Sequence, residues 1–358
     1  MNRWYAVVSI ALALVACGGQ QSGGGDTANA QLASSGVALT GAGATFPYPI
    51  YSKWFSDYAR QTGVRINYQS IGSGGGIRQL SEGTVDFGAS DSPMTDEEMT
   101  RAKGGPVLHV PMVIGAVVIS YNVPGVPDSL KLTGEVIAEI FLGRITRWND
   151  ARIAALNPGV SLPASDILVV HRSDGSGTTY VFTDYLAAVS QAWRNGPGRG
   201  KEVRWPTGIG AKGNEGVAGQ VKQTPGAVGY VELAYARQNR LAVASVRNQA
   251  GQFVAPAIES ITAAAESAIS RLGPDTDYRV SIVNAPGESA YPISSFTWIL
   301  LYRNPTDPGK AQTLTNFLKW AIRDGQQSAA ALHYAPLPTA LATQLGVRLD
   351  SLSARPAA

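Results

Sequence analysis

The run His171-Arg172-Ser173-Asp174-Gly175-Ser176-Gly177-Thr178-Thr179 carries the residue types of an anion grip. It follows an apolar segment at 167–170 and precedes a stretch with helical character over 180–189. A strand feeding a Gly/Ser turn at a helix start leaves several backbone N–H groups unpaired, and the helix dipole adds positive potential there. Arg172 contributes a planar fork of donors matched to an oxyanion. Asp174, two residues on, is placed to hold that fork. One Gly-Ser-Gly turn is only a turn, but two similar loops lie upstream, at Gly41-Ala42-Gly43-Ala44-Thr45-Phe46-Pro47 and Ile71-Gly72-Ser73-Gly74-Gly75-Gly76.

Other chemistries fail on specifics. The first loop begins like a dinucleotide fingerprint, but its sixth position is Phe46 rather than glycine. Gly208-Ile209-Gly210-Ala211-Lys212-Gly213-Asn214 lacks the Lys-Ser/Thr ending of a P-loop. Neither Ser73 nor Ser176 stands in a Gly-x-Ser-x-Gly elbow, because Ile71 and Asp174 occupy the upstream glycine positions. The histidines His109, His171 and His333 are widely spaced, and the chain has one cysteine, so no metal site is expected. What remains is a set of hydroxyls, backbone amides, one arginine and two aspartates. It can grip an anion but has no activated nucleophile, so binding is expected, without enzymatic activity or a cofactor.

The elements that must position these loops alternate. A strand is expected at 37–40 and a helix over 49–61, with Ile50, Trp54, Phe55 and Tyr58 on one face and Gly63 as the stop. A strand over 64–68 leads to the second loop, a short helix is expected over 77–82, and Val85-Asp86-Phe87-Gly88-Ala89-Ser90-Asp91 follows. This rhythm points to α/β layers around a mainly parallel sheet, in which ligands sit where strands turn into helices. Phe87 and Trp205 read as core or rim. An apolar strand over 110–121 is long enough to pass between domains, and 292–302 reads as a return crossing. Helices are expected over 134–142 and 310–323, and the tail from 347 reads as frayed.

The two ends and the charge balance bound the rest. Arg3 followed by an apolar run over 5–16 has the length of a signal peptide, and Leu14-Val15-Ala16-Cys17 resembles the lipobox of bacterial lipoproteins. Residues 1–16 are therefore expected to be removed, and Cys17 to carry a lipid anchor at the outer face of the cell membrane or in the periplasm. The small polar residues 17–36 read as a flexible tether with a reach on the order of 25 Å. No later apolar run is long enough to span a bilayer, so the body is expected to be held at a surface. Without residues 1–16, 28 basic residues face 26 acidic ones, a net charge of +2 that implies no nucleic-acid partner. Anion specificity must then come from local donors.

With these loops in view, the chain resembles the phosphate-binding proteins that serve bacterial phosphate ABC importers. The resemblance rests on Thr40-Gly41-Ala42-Gly43-Ala44-Thr45-Phe46-Pro47, on Asn67 through Gly76, on Val85 through Asp91, on Arg172 through Thr178 and on the glycine stretch 205–216. These run in the right order and spacing from about residue 40 to 338. The resemblance implies a two-domain periplasmic-binding-protein fold of the Venus-flytrap type II, each domain a mixed sheet flanked by helices with the ligand in the cleft. The expected division is 37–113 plus 288–350 for the first domain and 114–287 for the second.

By position, the family's ligand contacts fall on Thr45, Phe46 through its N–H, Ser73, Asp91, Arg172, Ser176, Gly177 and Thr178, with Asp174 behind Arg172. Gly74 departs from family members that carry a second hydroxyl residue there. Asp91 is the expected source of selectivity, because a buried carboxylate tolerates an anion only if that anion brings a proton. Phosphate does so at neutral pH, whereas sulfate does not. The resemblance further implies a monomer that closes on inorganic phosphate and docks on the membrane permease subunits of an ABC transporter, whose ATPase drives release.

Overall fold

The computed structural model describes residues 38–353. The signal peptide, the tether and the Cys17 assignment lie outside the described residues. β1 (Ala38–Gly43) leads through Thr45 and Phe46 into α1 (Tyr48–Thr62). Proline suits the first turn of that helix, where a missing N–H costs nothing. Gly63 ends it at φ 76°. α1 buries Ile50, Trp54, Phe55 and Tyr58 as the spacing predicts, and Tyr51 with them. Each large apolar side chain so buried contributes roughly 1.5–3 kcal/mol.

β2 (Arg65–Ser70), α2 (Ser73–Glu82) and β3 (Phe87–Ser90) follow. α2 begins four residues before the helix expected over 77–82, so Gly74, Gly75 and Gly76 are helical rather than loop. Each glycine costs a helix about 1 kcal/mol against alanine, which is why the run reads as a breaker. Packing overrides that preference: a Cβ on Gly76 would lie 2.5 Å from both the Ala42 carbonyl and Gly43 Cα. Only a bare backbone lets α2 lie this close to β1.

α3 (Asp96–Thr100) is closed by a Thr95–Glu98 capping box, so the segment after Asp91 is capped by Thr95 and not by Asp91. β4 (Val107–Tyr121) is then buried along its whole length of 15 residues. Beyond it come β5 (Lys131–Leu132), α4 (Gly134–Phe141), α5 (Ala151–Leu156), β6 (Leu168–Arg172) and α6 (Gly177–Val189). α7 (Gln191–Asn195), β7 (Ile209–Ala211), α8 (Gly213–Gln223), β8 (Ala227–Glu232) and α9 (Leu233–Asn239) continue the alternation. Three short strands, β9 (Ala242–Val243), β10 (Ser245–Arg247) and β11 (Phe253–Val254), precede α10 (Ile258–Glu266). The chain finishes with β12 (Ser294–Tyr302), α11 (Pro308–Arg323) and α12 (Thr339–Ser353).

Among the described residues the main sheet has nine strands in the order β2-β1-β3-β12-β4-β8-β6-β7, with β9 also on β4, and a small sheet joins β11, β10 and β5. The sheet is mixed: β1, β2 and β3 pair in parallel, as do β8, β6 and β7, while β12 and β4 run antiparallel to their neighbours. β4 serves both halves. Its residues 107–116 pair with β12 and 117–121 with β8, so the expected boundary at 113/114 falls inside one continuous strand. The apolar stretch expected over 292–302 forms β12, which runs back along β4 from Ile293, whose carbonyl accepts the Val117 N–H, to Tyr302 opposite Val107. A register shift between Thr297 and Trp298 lies opposite Pro111, which has no N–H to give the ladder. The tail is not frayed from 347: α12 continues to Ser353, buries Leu345 and Leu349, and pairs Arg348 with Asp277.

Gly76→Ala is expected to destabilise the protein by about 1–3 kcal/mol or more in denaturant unfolding, since the added methyl meets backbone that cannot swing away. An unchanged midpoint would contradict the close approach of α2 to β1.

Candidate functional site

Three of the turns singled out in the sequence converge where the two halves of the sheet meet, and a fourth strand end joins them. Thr45, Ser73, Asp91, Arg172, Ser176 and Thr178 are each at most 3% exposed, and Phe46 is fully buried. Each lies where a strand hands over to a helix. Thr45 and Phe46 stand between β1 and α1, Ser73 begins α2, Asp91 follows β3, and Arg172 to Thr178 join β6 to α6. The spacing of strand, turn and helix in the sequence thus translates into proximity.

The contacts cross between the halves. Gly177 donates its N–H to Ser73 Oγ at 3.0 Å, and the same oxygen accepts the Asp91 N–H at 3.3 Å. Gly74 N–H donates to the Gly175 carbonyl at 2.9 Å. A Cβ on Gly177 would lie 2.5 Å from both Asp91 Oδ2 and Ser73 Oγ. Glycine is therefore required there by space, and the Asp91 carboxyl is aimed at the start of α6. At the rim, Lys201 Nζ binds Glu98 Oε1 at 2.6 Å across the same junction.

Arg172 is held as the sequence anticipates. Its Nε donates to Asp174 Oδ1 at 2.7 Å and its Nη2 to Oδ2 at 2.5 Å, a bidentate pair. Nη1 donates to Thr178 Oγ1 at 3.3 Å. Of the five guanidinium hydrogens, one on each terminal nitrogen remains for the junction. Burial works to raise the Asp174 pKa, but the bonds and charge of Arg172 and the Gly213 N–H outweigh it and hold the carboxyl below its usual range. Ser176 caps α6 by accepting the Thr179 N–H at 3.0 Å, which leaves its hydroxyl hydrogen to donate. Gly177 spends its amide on Ser73 in this structure. Phe87 is core, and Trp205, partly buried, stacks on His171 with ring centroids 4.7 Å apart.

Asp91 behaves differently from Asp174. Burial pushes its pKa from the usual 3.8 to about 7, against the lowering effect of the Thr297 hydrogen bond, the Arg172 charge and Ser73. Thr297 Oγ1 donates to Asp91 Oδ1 at 3.0 Å. A carboxyl poised near neutrality, beside donors that favour its charged form, can both hold a proton and accept one.

Several members of this cluster escaped the sequence reading. Asn214, at the start of α8, donates its Nδ2 to Thr45 Oγ1 at 2.7 Å and to Thr178 Oγ1 at 3.0 Å. Tyr235 hydroxyl donates to the Thr45 carbonyl at 2.6 Å, and Tyr334 hydroxyl to the Phe46 carbonyl at 2.6 Å, clamping the first loop from both sides. Glu232 caps α9 through Oε2, 2.7 Å from the Ala234 N–H, and burial pushes its carboxyl well above the usual range. The available signals were faint: a polar Thr297 inside an apolar strand, an acid ending the apolar run of β8, and a Gly-Asn step before a helix. Among the described residues no group of three or more His, Cys, Asp or Glu gathers as metal ligands, and no helix is long and apolar enough to cross a membrane.

Two mixed half-sheets sharing one long strand, with a buried donor cluster at their junction, define a solute-binding protein. Residues 24–324 match the family described as PBP superfamily domain. The chain is 46% identical over 329 residues to the phosphate-binding protein PstS of Xylella fastidiosa (strain 9a5c), covering 92% of this chain and 89% of that one. With PstS of Haemophilus influenzae it shares 49% identity over 302 residues, 84% of this chain and 89% of the relative. A solved high affinity periplasmic phosphate-binding protein with phosphate bound shares the fold at a TM-score of 0.70 and 21% identity, covering 89% of this chain and all of that one. The chain belongs to the PstS family of phosphate-binding proteins.

The raised Asp91 pKa has a consequence for stability. Its folded value of about 7 stands above the unfolded 3.8, so between these values the folded state binds the extra proton. The stabilisation is fully present below the unfolded value and is lost as pH rises through the folded one. Thermal unfolding of ligand-free protein between about pH 4 and 8 is expected to show a steeper decline for the parent than for Asp91→Asn, which has no proton to lose. Parallel profiles would contradict the assignment.

Proposed function

We propose that this chain is the inorganic-phosphate receptor of an ABC-type importer, and that it takes phosphate at the junction formed by Thr45, Phe46, Ser73, Asp91, Arg172, Ser176, Gly177 and Thr178. The observation that carries this reading is the placement of one raised-pKa carboxyl among groups that otherwise donate. Hydroxyls, the Phe46 amide, the α6 start and the free edge of Arg172 suit a tetrahedral oxyanion. Asp91 then accepts the proton that monobasic or dibasic phosphate carries. Sulfate, which carries none, would set acceptor against acceptor, costing roughly 1–3 kcal/mol for the unpaired buried group. Each 1.4 kcal/mol is about tenfold in affinity. The Gly177 amide, engaged by Ser73 here, would be shared with the ligand. Gly74 contributes no hydroxyl, so the second loop grips through Ser73 alone.

The contacts that cross the junction support a closing motion between residues 37–113 plus 288–350 on one side and 114–287 on the other. Beside the anion site they are polar bonds, such as Gly177 to Ser73 and Lys201 to both oxygens of Glu98. Ligand added to the junction interacts with both sides at once and so favours the closed population. The closed monomer then docks on the permease subunits, whose ATPase drives release. A lipid on Cys17 and the tether over 17–36 keep the receptor beside the permease, raising its effective concentration. The chain works as a carrier rather than an enzyme, needs no cofactor and takes no nucleic acid, in keeping with its small net charge.

Calorimetric titration of the purified protein, stripped of carried-over anion, tests this reading. One phosphate is expected to bind per chain, with sulfate about tenfold weaker or more, the equivalent of at least one such step. Equal affinities for the two anions, or no phosphate binding, would overturn it.

A further inference from the structure

Asn214 is fully buried, and its side-chain oxygen and both side-chain hydrogens have partners. Oδ1 accepts the Glu232 N–H at 2.8 Å. That backbone group can only donate, so it dictates which end of the Asn214 amide is oxygen and turns the NH2 toward the two threonines. Nδ2 then reaches Thr45 Oγ1 at 2.7 Å and Thr178 Oγ1 at 3.0 Å, and the Asn214 backbone N–H adds a second bond to Thr45 Oγ1 at 3.2 Å.

A hydroxyl oxygen accepts through two lone pairs and donates one hydrogen. Thr45 Oγ1 receives two N–H groups, both from Asn214. Thr178 Oγ1 also receives two, one from Asn214 and one from Arg172 Nη1 at 3.3 Å. With both oxygens saturated as acceptors, each hydroxyl has only its hydrogen left to offer. We propose that Asn214 is a positioning residue that sets the polarity of the anion site, holding Thr45 and Thr178, one from each side of the junction, as obligate donors toward phosphate. The Glu232 N–H is the fixed reference that orients it.

The neighbouring residue serves the same end. Gly213 N–H donates to Asp174 Oδ1 at 3.1 Å, so the first turn of α8 steadies the carboxylate that aims Arg172 while Asn214 orients the threonines. Free rotation of the two hydroxyls would otherwise allow each to present a lone pair to the ligand. Oriented in advance, they meet an oxyanion without reorganisation.

The inference rests on the phosphate reading, and the two fail separately. Phosphate affinity is to be measured by calorimetry for the parent, Asn214→Ala, the pair Thr45→Val/Thr178→Val, and the triple variant. Asn214→Ala is expected to weaken phosphate binding about tenfold in the parent, the equivalent of one lost net hydrogen bond. In the background without the two hydroxyls it is expected to change affinity by less than about twofold, because its effect runs through them. The same loss in both backgrounds, or no loss in the parent, would overturn the proposal while leaving the receptor reading intact. A parent that binds no phosphate would overturn both.

Should the valine pair fail to fold, Asn214→Asp decides. Its carboxylate accepts where the amide donated, so the threonine hydrogens turn toward it and away from the ligand. Binding is expected to be at least about tenfold weaker than in Asn214→Ala. Equal affinity of the aspartate and alanine variants would overturn the proposal.

Discussion

The burial of one carboxyl organises the junction. Asp91 is 1% exposed, and removing it from water disfavours its charge. Its partners answer that constraint from both sides of the molecule. Thr297 donates to one oxygen, Ser73 bonds its backbone, and the start of α6 comes so close that only glycine fits at residue 177. None of these groups is a full counter-charge in contact with Asp91. Arg172 instead spends its fork on Asp174, and the two aspartates are pushed in opposite directions, one toward neutrality and one away from it.

The scaffold follows from where those groups must stand. A carboxyl after β3, a hydroxyl at α2 and an arginine at the end of β6 come together only if two half-sheets face each other across a shared element. β4 is that element, apolar and buried over its whole length, paired first with β12 and then with β8. The irregularity opposite Pro111 belongs to the same arrangement, since it falls beside Thr297 and so re-aims the strand next to the site.

Much of this was legible in the chain because it is local. The α1 stripe, the strand–turn–helix loops and the Arg172–Asp174 pair are set by residues close in sequence, and local periodicity reports them directly. The glycines of α2 misled because helix propensity is a local average, whereas their reason is the backbone of β1 lying against them. The α12 helix misled in the same way: Leu345 and Leu349 are paid for by distant packing, and Arg348 by Asp277, 71 residues away. Asn214 stayed hidden longest. Its partners lie 169 residues upstream at Thr45, 36 upstream at Thr178 and 18 downstream at Glu232, and no spacing rule connects them.

The central claim is that one buried carboxyl reads the proton on the ligand, and the affinity ratio of phosphate to sulfate measures it. That ratio should be determined by titration for the parent and for Asp91→Asn at the same pH. The asparagine amide can donate to sulfate, so the account predicts that the ratio falls by about tenfold or more, with sulfate binding strengthened or phosphate weakened. A variant that binds phosphate with the parent's preference intact would contradict it, and would move the source of selectivity away from Asp91.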